Sequence, residues 1–117
     1  MMTVLIIDDE VDLCALLKTA LPKDKFWVDC AHTLADAEAK MKNLEVDIIL
    51  LDNNLPDGSG LEYFNLYPRK FKKSKVVFIT ADPAADIDER ADLSGVAAFI
   101  RKPFTAGVLK DILKRLA

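Results

Sequence analysis

Five side chains along the sequence are of the types that together transfer a phosphoryl group: three carboxylates, one hydroxyl and one amine. They are Asp8, Asp9, Asp52, Thr80 and Lys102. Three carboxylates placed close together repel one another, which raises at least one pKa unless a cation compensates. Magnesium prefers oxygen ligands and is usually bound by one or two carboxylates with waters and phosphate oxygens. The residue types therefore indicate a Mg²⁺ site formed by Asp8, Asp9 and Asp52.

Residues at this site could also carry out the transfer of a phosphoryl group. A carboxylate oxygen of Asp52 would attack a phosphoryl group in line, because this reaction needs mainly positioning and charge neutralisation. Lys102 would pair with one phosphoryl oxygen. The Thr80 hydroxyl and the backbone N–H of Ala81 would donate hydrogen bonds to another.

The elements that must bring these groups together are strands that alternate with helices. Short apolar runs alternate five times with segments of helical period, which is typical of βα units and a parallel sheet. The predicted strands are residues 3–7, 26–30, 47–51, 75–80 and 96–100. Each of the five candidate groups closes or follows a predicted strand, and functional groups in open α/β sheets lie at the carboxyl ends of the strands. The pattern predicts an α/β fold with all five groups on one rim.

The helical segments carry apolar stripes that predict core faces. The stripes are Leu13, Leu16, Leu17, Ala20 and Leu21; Leu34, Ala37, Met41 and Leu44; and Leu109, Ile112, Leu113 and Leu116. A third helix is predicted from about Gly60 and is stopped by Pro68. A fourth is predicted to begin with Asp82 as N-cap and Pro83 at the first helical position.

Composition predicts one soluble domain over residues 1–117. The chain has no apolar run near the ~20 residues that cross a bilayer, and no signal-peptide pattern, so a cytoplasmic location without membrane contact is expected. The formal charge of −3 gives no general attraction to nucleic acid, and direct nucleic-acid binding is not expected. Cys14 and Cys30 are expected to be buried free thiols.

Some of these residues have simpler interpretations. Asp9 alone would serve equally well as the N-cap of the first helix. The basic run from Arg69 to Lys75 is typical of a solvated loop before a strand, and Phe99 at a strand end is typical of a core aromatic. His32 follows the second strand and is expected on the surface, away from the rim.

The chain resembles the receiver domains of response regulators in two-component signalling. The resemblance covers essentially the whole chain and is carried, in this order, by VLIIDDE, LLDNNLPDGSG, VVFITA and AAFIRKPF. It implies a (βα)5 flavodoxin-like, doubly wound sheet with strand order 2-1-3-4-5. That order would place Asp52 centrally, between the first and fourth strands.

The resemblance also implies residue roles. Asp52 matches the phosphoacceptor, Asp9 a direct metal ligand and Asp8 a ligand acting largely through water. The backbone carbonyl of Asn54 matches the position that completes the metal shell. Thr80 and Ala81 match the switch hydroxyl and its small neighbour. Phe99 falls at the switch aromatic without a tyrosine hydroxyl, and Lys102 with Pro103 matches a pair that the family often joins by a cis bond.

The implied function is a phosphoacceptor switch. A histidine kinase or a phosphotransfer protein would donate a phosphoryl group to Asp52 with Mg²⁺ as the cofactor. The new charge would draw in Thr80 and let Phe99 move, which changes the face of the fourth helix, fifth strand and fifth helix. That face would control an output domain or a downstream protein, and homodimerisation stays open. Such a protein is not an enzyme beyond catalysing its own phosphorylation and dephosphorylation.

Two alternatives remain open from the sequence. One is a degenerate receiver that acts as an interaction module without phosphorylation, against which intact Asp52, Thr80 and Lys102 argue. The other is a phosphatase of the haloacid-dehalogenase type, which uses the same functional groups. Those enzymes carry the nucleophile on the first strand and the acidic pair late, which is the reverse of the order here.

Overall fold

A five-stranded parallel sheet forms the centre of the molecule. The computed structural model describes residues 1–81 and 95–117. The strands are β1 (Met2–Ile7), β2 (Phe26–Ala31), β3 (Ile48–Asp52), β6 (Lys75–Thr80) and β7 (Val96–Arg101). Their order is β2-β1-β3-β6-β7, with every neighbouring pair parallel. This order is the predicted 2-1-3-4-5, because a two-stranded hairpin, β4 (Asn54–Leu55) and β5 (Gly58–Ser59), intervenes in the numbering.

The sheet is covered on both faces, as the doubly wound prediction requires. The helices are α1 (Val11–Ala20), α2 (Leu34–Asn43), α3 (Gly60–Leu66) and a last helix, Ala106–Leu116. One core cluster contains residues of α1 and the last helix, and the other contains residues of α2 and α3. Every residue of β3 is buried, which explains why its sequence is apolar up to Asp52.

The predicted core stripes are confirmed except at two residues of the first helix, Leu16 and the partly buried Ala20, which lie in neither core cluster. Leu17, Ala37, Leu109 and Leu113 have no exposed side-chain surface. Leu16, in contrast, is 55% exposed, so its assignment to the core face of the first helix is wrong. Cys14 takes the corresponding place against the sheet, because the buried side of α1 runs through Cys14 and Leu17.

The third helix ends where Pro68 predicted. After Leu66 the chain forms a 3-10 turn, Pro68–Phe71, whose Phe71 is buried against Phe64 at a ring-centroid distance of 5.2 Å. The predicted fourth helix, beginning at Asp82 and Pro83, lies outside the described residues. Across residues 1–81 and 95–117, no helix has the length and apolar character needed to cross a membrane.

The expectation of free thiols is wrong. Cys14 of α1 and Cys30 of β2 are joined as a disulfide, with Cα atoms 6.3 Å apart. Both side chains lie in the same core cluster, because α1 packs over β2 on that face of the sheet. The two positions are distant in sequence, and the spacing alone did not indicate their contact.

Candidate functional site

The predicted rim forms at the carboxyl ends of β1, β3, β6 and β7. Asp8 follows β1 directly, Asp52 is the last residue of β3, Thr80 is the last residue of β6, and Lys102 follows β7. Because β3 lies between β1 and β6, Asp52 sits at the centre of this edge. Carboxylate oxygens of Asp8, Asp9 and Asp52 lie within 4.8 Å of one another. The sequence therefore located the acidic cluster correctly.

Lys102 is the cation that faces the buried carboxylates. Its Nζ lies 2.9 Å from Oδ2 of Asp8, 3.1 Å from Oε1 of Glu10 and 3.5 Å from Oδ2 of Asp52. Asp8 is fully buried and Asp52 is 4% exposed. Glu10 was missed by the sequence analysis, because a third acid after the Asp8–Asp9 pair reads as an ordinary residue of a helix start.

Burial sets the acid–base properties of this cluster. It raises the pKa of Asp8, and the hydrogen bond from the Glu10 N–H opposes that shift only in part. Burial and then the charge of Asp8 raise the pKa of Asp52 from 3.8 to about 6, although Lys102 acts in the opposite direction. A shift of that size favours the protonated carboxyl by roughly 3 kcal/mol. For Lys102, burial lowers the pKa, but hydrogen bonds to Asp8 and Glu10, together with the charges of Asp52 and Asp8, leave the pKa raised.

The donor set fits a hard dication. Two buried carboxylates share one lysine, so the cluster carries more negative charge than the lysine can balance. Asp8 is oriented by its Oδ1, which accepts a hydrogen bond of 2.9 Å from the Glu10 N–H. Asp9 is exposed, and it is not the N-cap of α1. The N-cap is Glu10, which makes no side-chain capping bond, so the capping interpretation of Asp9 is wrong.

Thr80 and Ala81 occupy the edge of the sheet beside Asp52. Thr80 is fully buried, and its backbone carbonyl accepts a hydrogen bond of 2.9 Å from the Lys102 N–H. Ala81 is exposed and lines an open cavity of about 440 Å³ together with Lys102 and Pro103. The peptide bond between Lys102 and Pro103 is cis, as the resemblance implied.

Phe99 lies on β7 with 41% of its surface exposed. Its ring packs against Phe78, at a centroid distance of 6.2 Å. The simpler interpretation of Phe99 as an ordinary core aromatic is therefore wrong, because a fully packed core ring would be buried. Its predicted switch role stays a prediction.

The loop after Asp52 is held in place by a buried asparagine that the sequence analysis missed. Oδ1 of Asn53 accepts hydrogen bonds from the Ser59 hydroxyl, at 2.7 Å, and from the Leu61 N–H, at 3.1 Å. These bonds close the turn that carries Asn54. At the end of the turn, a Cβ on Gly60 would lie 2.1 Å from the backbone oxygen of Asp52, so only glycine fits there.

His32 contacts the rim, contrary to the expectation that it lies away from it. Its Nδ1 is 2.8 Å from the backbone oxygen of Asp8. A carbonyl oxygen only accepts, so Nδ1 carries the hydrogen. The contact arises because β2 pairs with β1, which brings the residues that follow both strands together.

The geometry can be compared with known proteins. The family profile described as "Response regulator receiver domain" matches residues 4–114. The chain belongs to this family. Receiver domains are signalling proteins of two-component systems, and this membership excludes the haloacid-dehalogenase alternative, consistent with the order of Asp8 and Asp52 along the chain.

Two curated relatives illustrate the match of this receiver domain. It is 31% identical over 109 residues to the response regulator protein PilR of Pseudomonas aeruginosa, covering 93% of the chain and 24% of PilR. It is 33% identical over 119 aligned positions to the KDP operon transcriptional regulatory protein KdpE of Escherichia coli, covering 97% of the chain and 50% of KdpE. The chain thus spans half or less of these relatives.

Solved structures match the receiver over its full length. The response regulator TrrA of Thermotoga maritima, whose structure is a complex with Mg²⁺-BeF, is 28% identical with a TM-score of 0.83, and each chain is covered completely. The chemotaxis response regulator CheY4 of Vibrio cholerae has a TM-score of 0.84 at 23% identity, covering 100% of this chain and 99% of that one. The CheY4 match supports the fold alone.

Proposed function

We propose that this receiver domain is a phosphorylation switch whose phosphoacceptor is Asp52 and whose cofactor is Mg²⁺. The observation that carries the proposal is the buried carboxylate of Asp52 at the centre of the rim. Its Oδ2 lies 3.5 Å from Lys102 Nζ, and its ligand oxygen lies within 4.8 Å of those of Asp8 and Asp9. The Mg²⁺-BeF complex of the relative TrrA further supports the choice of cation.

The metal ligands would be the carboxylates of Asp8, Asp9 and Asp52 and the backbone carbonyl of Asn54. Magnesium would supply charge neutralisation for the carboxylates and the phosphoryl oxygens. Asp8, held by Glu10 and Lys102, is oriented before any ligand arrives. This preorientation lowers the rearrangement that binding requires.

The chemical step is the transfer of a phosphoryl group from a phosphohistidine. A carboxylate oxygen of Asp52 forms a bond to phosphorus as the bond from phosphorus to the imidazole nitrogen breaks. The electron pair leaves with the imidazole. Lys102 exchanges its pairing with the carboxylates for a phosphoryl oxygen, while the Thr80 hydroxyl and the Ala81 N–H donate to another. Water attack on the aspartyl phosphate would reset the switch.

The phosphorylated state would be read at the face that includes Phe99. Movement of the Thr80 hydroxyl towards the phosphoryl group would open space for the Phe99 ring, which is half exposed and packed only along Phe78 among the described aromatic residues. The partners would be a histidine kinase or phosphotransfer protein and, on this face, an output domain, a downstream protein or a second copy. The predicted fourth helix of this face lies outside the described residues.

The experiment is intact-mass measurement after incubation with acetyl phosphate, with and without Mg²⁺. The wild-type chain should gain one phosphoryl group only when Mg²⁺ is present, and the Asp52→Asn variant should gain none. Glu62→Gln is a matched control, because it neutralises an exposed carboxylate of the neighbouring helix α3 that has no part in the proposed site. Absence of an adduct in folded wild-type protein, together with no binding of beryllofluoride, would instead favour the phosphorylation-independent interaction module.

A further inference from the structure

The start of α2 and the residues just before it contact both loops that carry the proposed metal ligands. One contact comes from the β4–β5 hairpin, through Asp57, and the other comes from the β1–α1 loop, through the backbone of Asp8. The residues that make these contacts, 32–35, contribute no ligand themselves. They nevertheless lie between the two ligand-bearing loops.

Asp57 caps α2 from a distant part of the chain. Its Oδ1 accepts a hydrogen bond of 2.8 Å from the Leu34 N–H, and its Oδ2 accepts one of 3.0 Å from the Ala35 N–H. The next free amide, that of Asp36, donates to the Thr33 hydroxyl at 3.0 Å. The first amides of a helix have no partner within the helix, so these two side chains together satisfy that turn.

The rest of the hairpin packs on the same point of α2. Gly58 has φ +152°, and a Cβ there would lie 3.2 Å from Cδ1 of Leu34. The hydrogen bond from Leu34 is also the main cause of the lowered pKa of Asp57, so the cap is ionised wherever Asp52 can act. Asn54, which lies in this hairpin two residues after Asp52, is therefore fixed relative to α2 by a charged hydrogen bond and by packing.

The other ligand-bearing loop is bound to the residues just before α2. The His32 Nδ1–H donates to the Asp8 backbone oxygen at 2.8 Å. The Asp8 N–H donates in turn to the Ala31 carbonyl at 3.0 Å. The backbone of Asp8 is thus held on both sides of its Cα by residues 31 and 32.

We propose that residues 32–35 act as a strut that sets the distance between the Asp8–Asp9 pair and the Asn54 hairpin. His32 and Asp57 are positioning residues of the phosphorylation site. This inference rests on the proposed function, because it assumes that the two loops share one Mg²⁺. Magnesium requires near-ideal octahedral geometry, so a small change in the spacing of the loops weakens binding. Substitution of residues that hydrogen-bond to metal ligands commonly lowers the metal affinity by about tenfold or more.

The test compares Asp57→Ala with Thr33→Ala. Both variants remove a side chain that accepts a hydrogen bond from a backbone amide in the first turn of α2. Only Asp57→Ala also breaks the link between α2 and the hairpin. The dissociation constant for Mg²⁺, measured by calorimetry, should rise on the order of tenfold in Asp57→Ala and less than about twofold in Thr33→Ala. Asp57→Asn keeps one oxygen acceptor and should recover part of the affinity.

His32 gives an independent arm of the same test. His32→Ala removes the donor to Asp8 and should weaken Mg²⁺ binding, whereas His32→Gln retains an N–H donor and should restore part of it. Hydrogen exchange supplies a readout that does not need the metal. In Asp57→Ala the amides of Leu34 and Ala35 should exchange faster, and protection should also fall across the hairpin.

The outcomes separate the inference from the proposed function. If the wild-type chain is phosphorylated and binds Mg²⁺, but Asp57→Ala and His32→Ala bind it as tightly as Thr33→Ala, the strut is wrong and the proposed function stands. If the wild-type chain binds no Mg²⁺, both fall together. Should Asp57→Ala fail to fold, Asp57→Asn and His32→Ala decide the question by the same comparison.

Discussion

The two ends of the parallel sheet differ in the burial of their charged side chains, which include buried carboxylates at the carboxyl end and are mostly exposed at the amino end. At the carboxyl end, Asp8 and Asp52 are buried and share one lysine, Lys102. At the amino end, an open groove of about 550 Å³ is lined by five cations and two carboxylates. These residues are Lys42, Glu45, Asp47, Arg69, Lys70, Lys72 and Lys73. The groove thus carries more charged side chains than the rim.

Burial accounts for the difference between the two ends. In the groove, Lys70 lies over the Tyr67 ring and pairs with Glu38, and this pairing lowers the pKa of Glu38 and raises that of Lys70. In this pair each ion favours the charged form of the other. At the rim the pKa of Asp52 is raised, so burial opposes the charged form that the proposed chemistry needs. Uncompensated buried charge destabilises a fold, and its presence here indicates a functional site.

The largest expected effect comes from removing the rim cation. Lys102→Met leaves Asp8 and Asp52 buried without their shared partner. We expect the free energy of unfolding at pH 7 to fall by at least about 3 kcal/mol, the scale for breaking a buried ion pair. Urea denaturation of the wild-type chain and the variant measures the difference.

Lys72→Met is the matched control at the amino end. The Lys72 side chain is exposed and forms no ion pair with another residue of 1–81 or 95–117, so this change should alter the free energy of unfolding by less than about 0.5 kcal/mol. Equal effects of the two substitutions would mean that burial does not distinguish the two ends.

A smaller change in the free energy of unfolding is expected when the pH is varied, because the pKa of Asp52 is raised. The pKa of its carboxyl is raised from 3.8, the ordinary value for aspartate, to about 6 in the folded chain. Near pH 3 the carboxyl is protonated in both folded and unfolded chains. Between about pH 4 and pH 6 only the unfolded chain gives up the proton, so the contribution of Asp52 to stability falls as the pH rises.

Comparing the wild-type chain with Asp52→Asn isolates the contribution of the Asp52 carboxyl to the free energy of unfolding. Without Mg²⁺, the variant should gain stability relative to the wild-type chain by about 2 to 3 kcal/mol between pH 4 and pH 7. Urea denaturation across that range gives the difference at each pH. A difference that stays constant with pH would show that Asp52 is not held as a buried, destabilised carboxylate.

Most of the sheet could be predicted from the sequence, because strands covered on both faces must be apolar. The predicted bounds 75–80 are those of β6. The predicted bounds of β1, β2 and β7 differ by one residue at one end, and those of β3 are shifted by one residue at both ends. The rim followed, since strand order and strand ends determine which residues meet. The β4–β5 hairpin could not be predicted in this way, because two-residue strands have no hydrophobic period.

The contacts that support the rim were the least predictable part of the site. The cap that Asp57 forms on α2 joins residues more than 20 positions apart, and so does the bond from His32 to Asp8. The segment Pro56–Asp57–Gly58 indicates a turn, but a turn motif does not identify the helix that it caps. The exposure of Leu16 was missed for a similar reason, because the helical period alone does not give the width of the buried face.

The most direct test of the central claim is whether the rim carboxylates are held for a cation. Urea denaturation would be measured with and without Mg²⁺, at constant ionic strength, for the wild-type chain and for Asp9→Asn, which changes an exposed carboxylate of the cluster. At tenfold its dissociation constant, Mg²⁺ should stabilise the wild-type chain by about 1.4 kcal/mol and the variant by much less. Equal stabilisation of both chains, or none of either, would contradict the account.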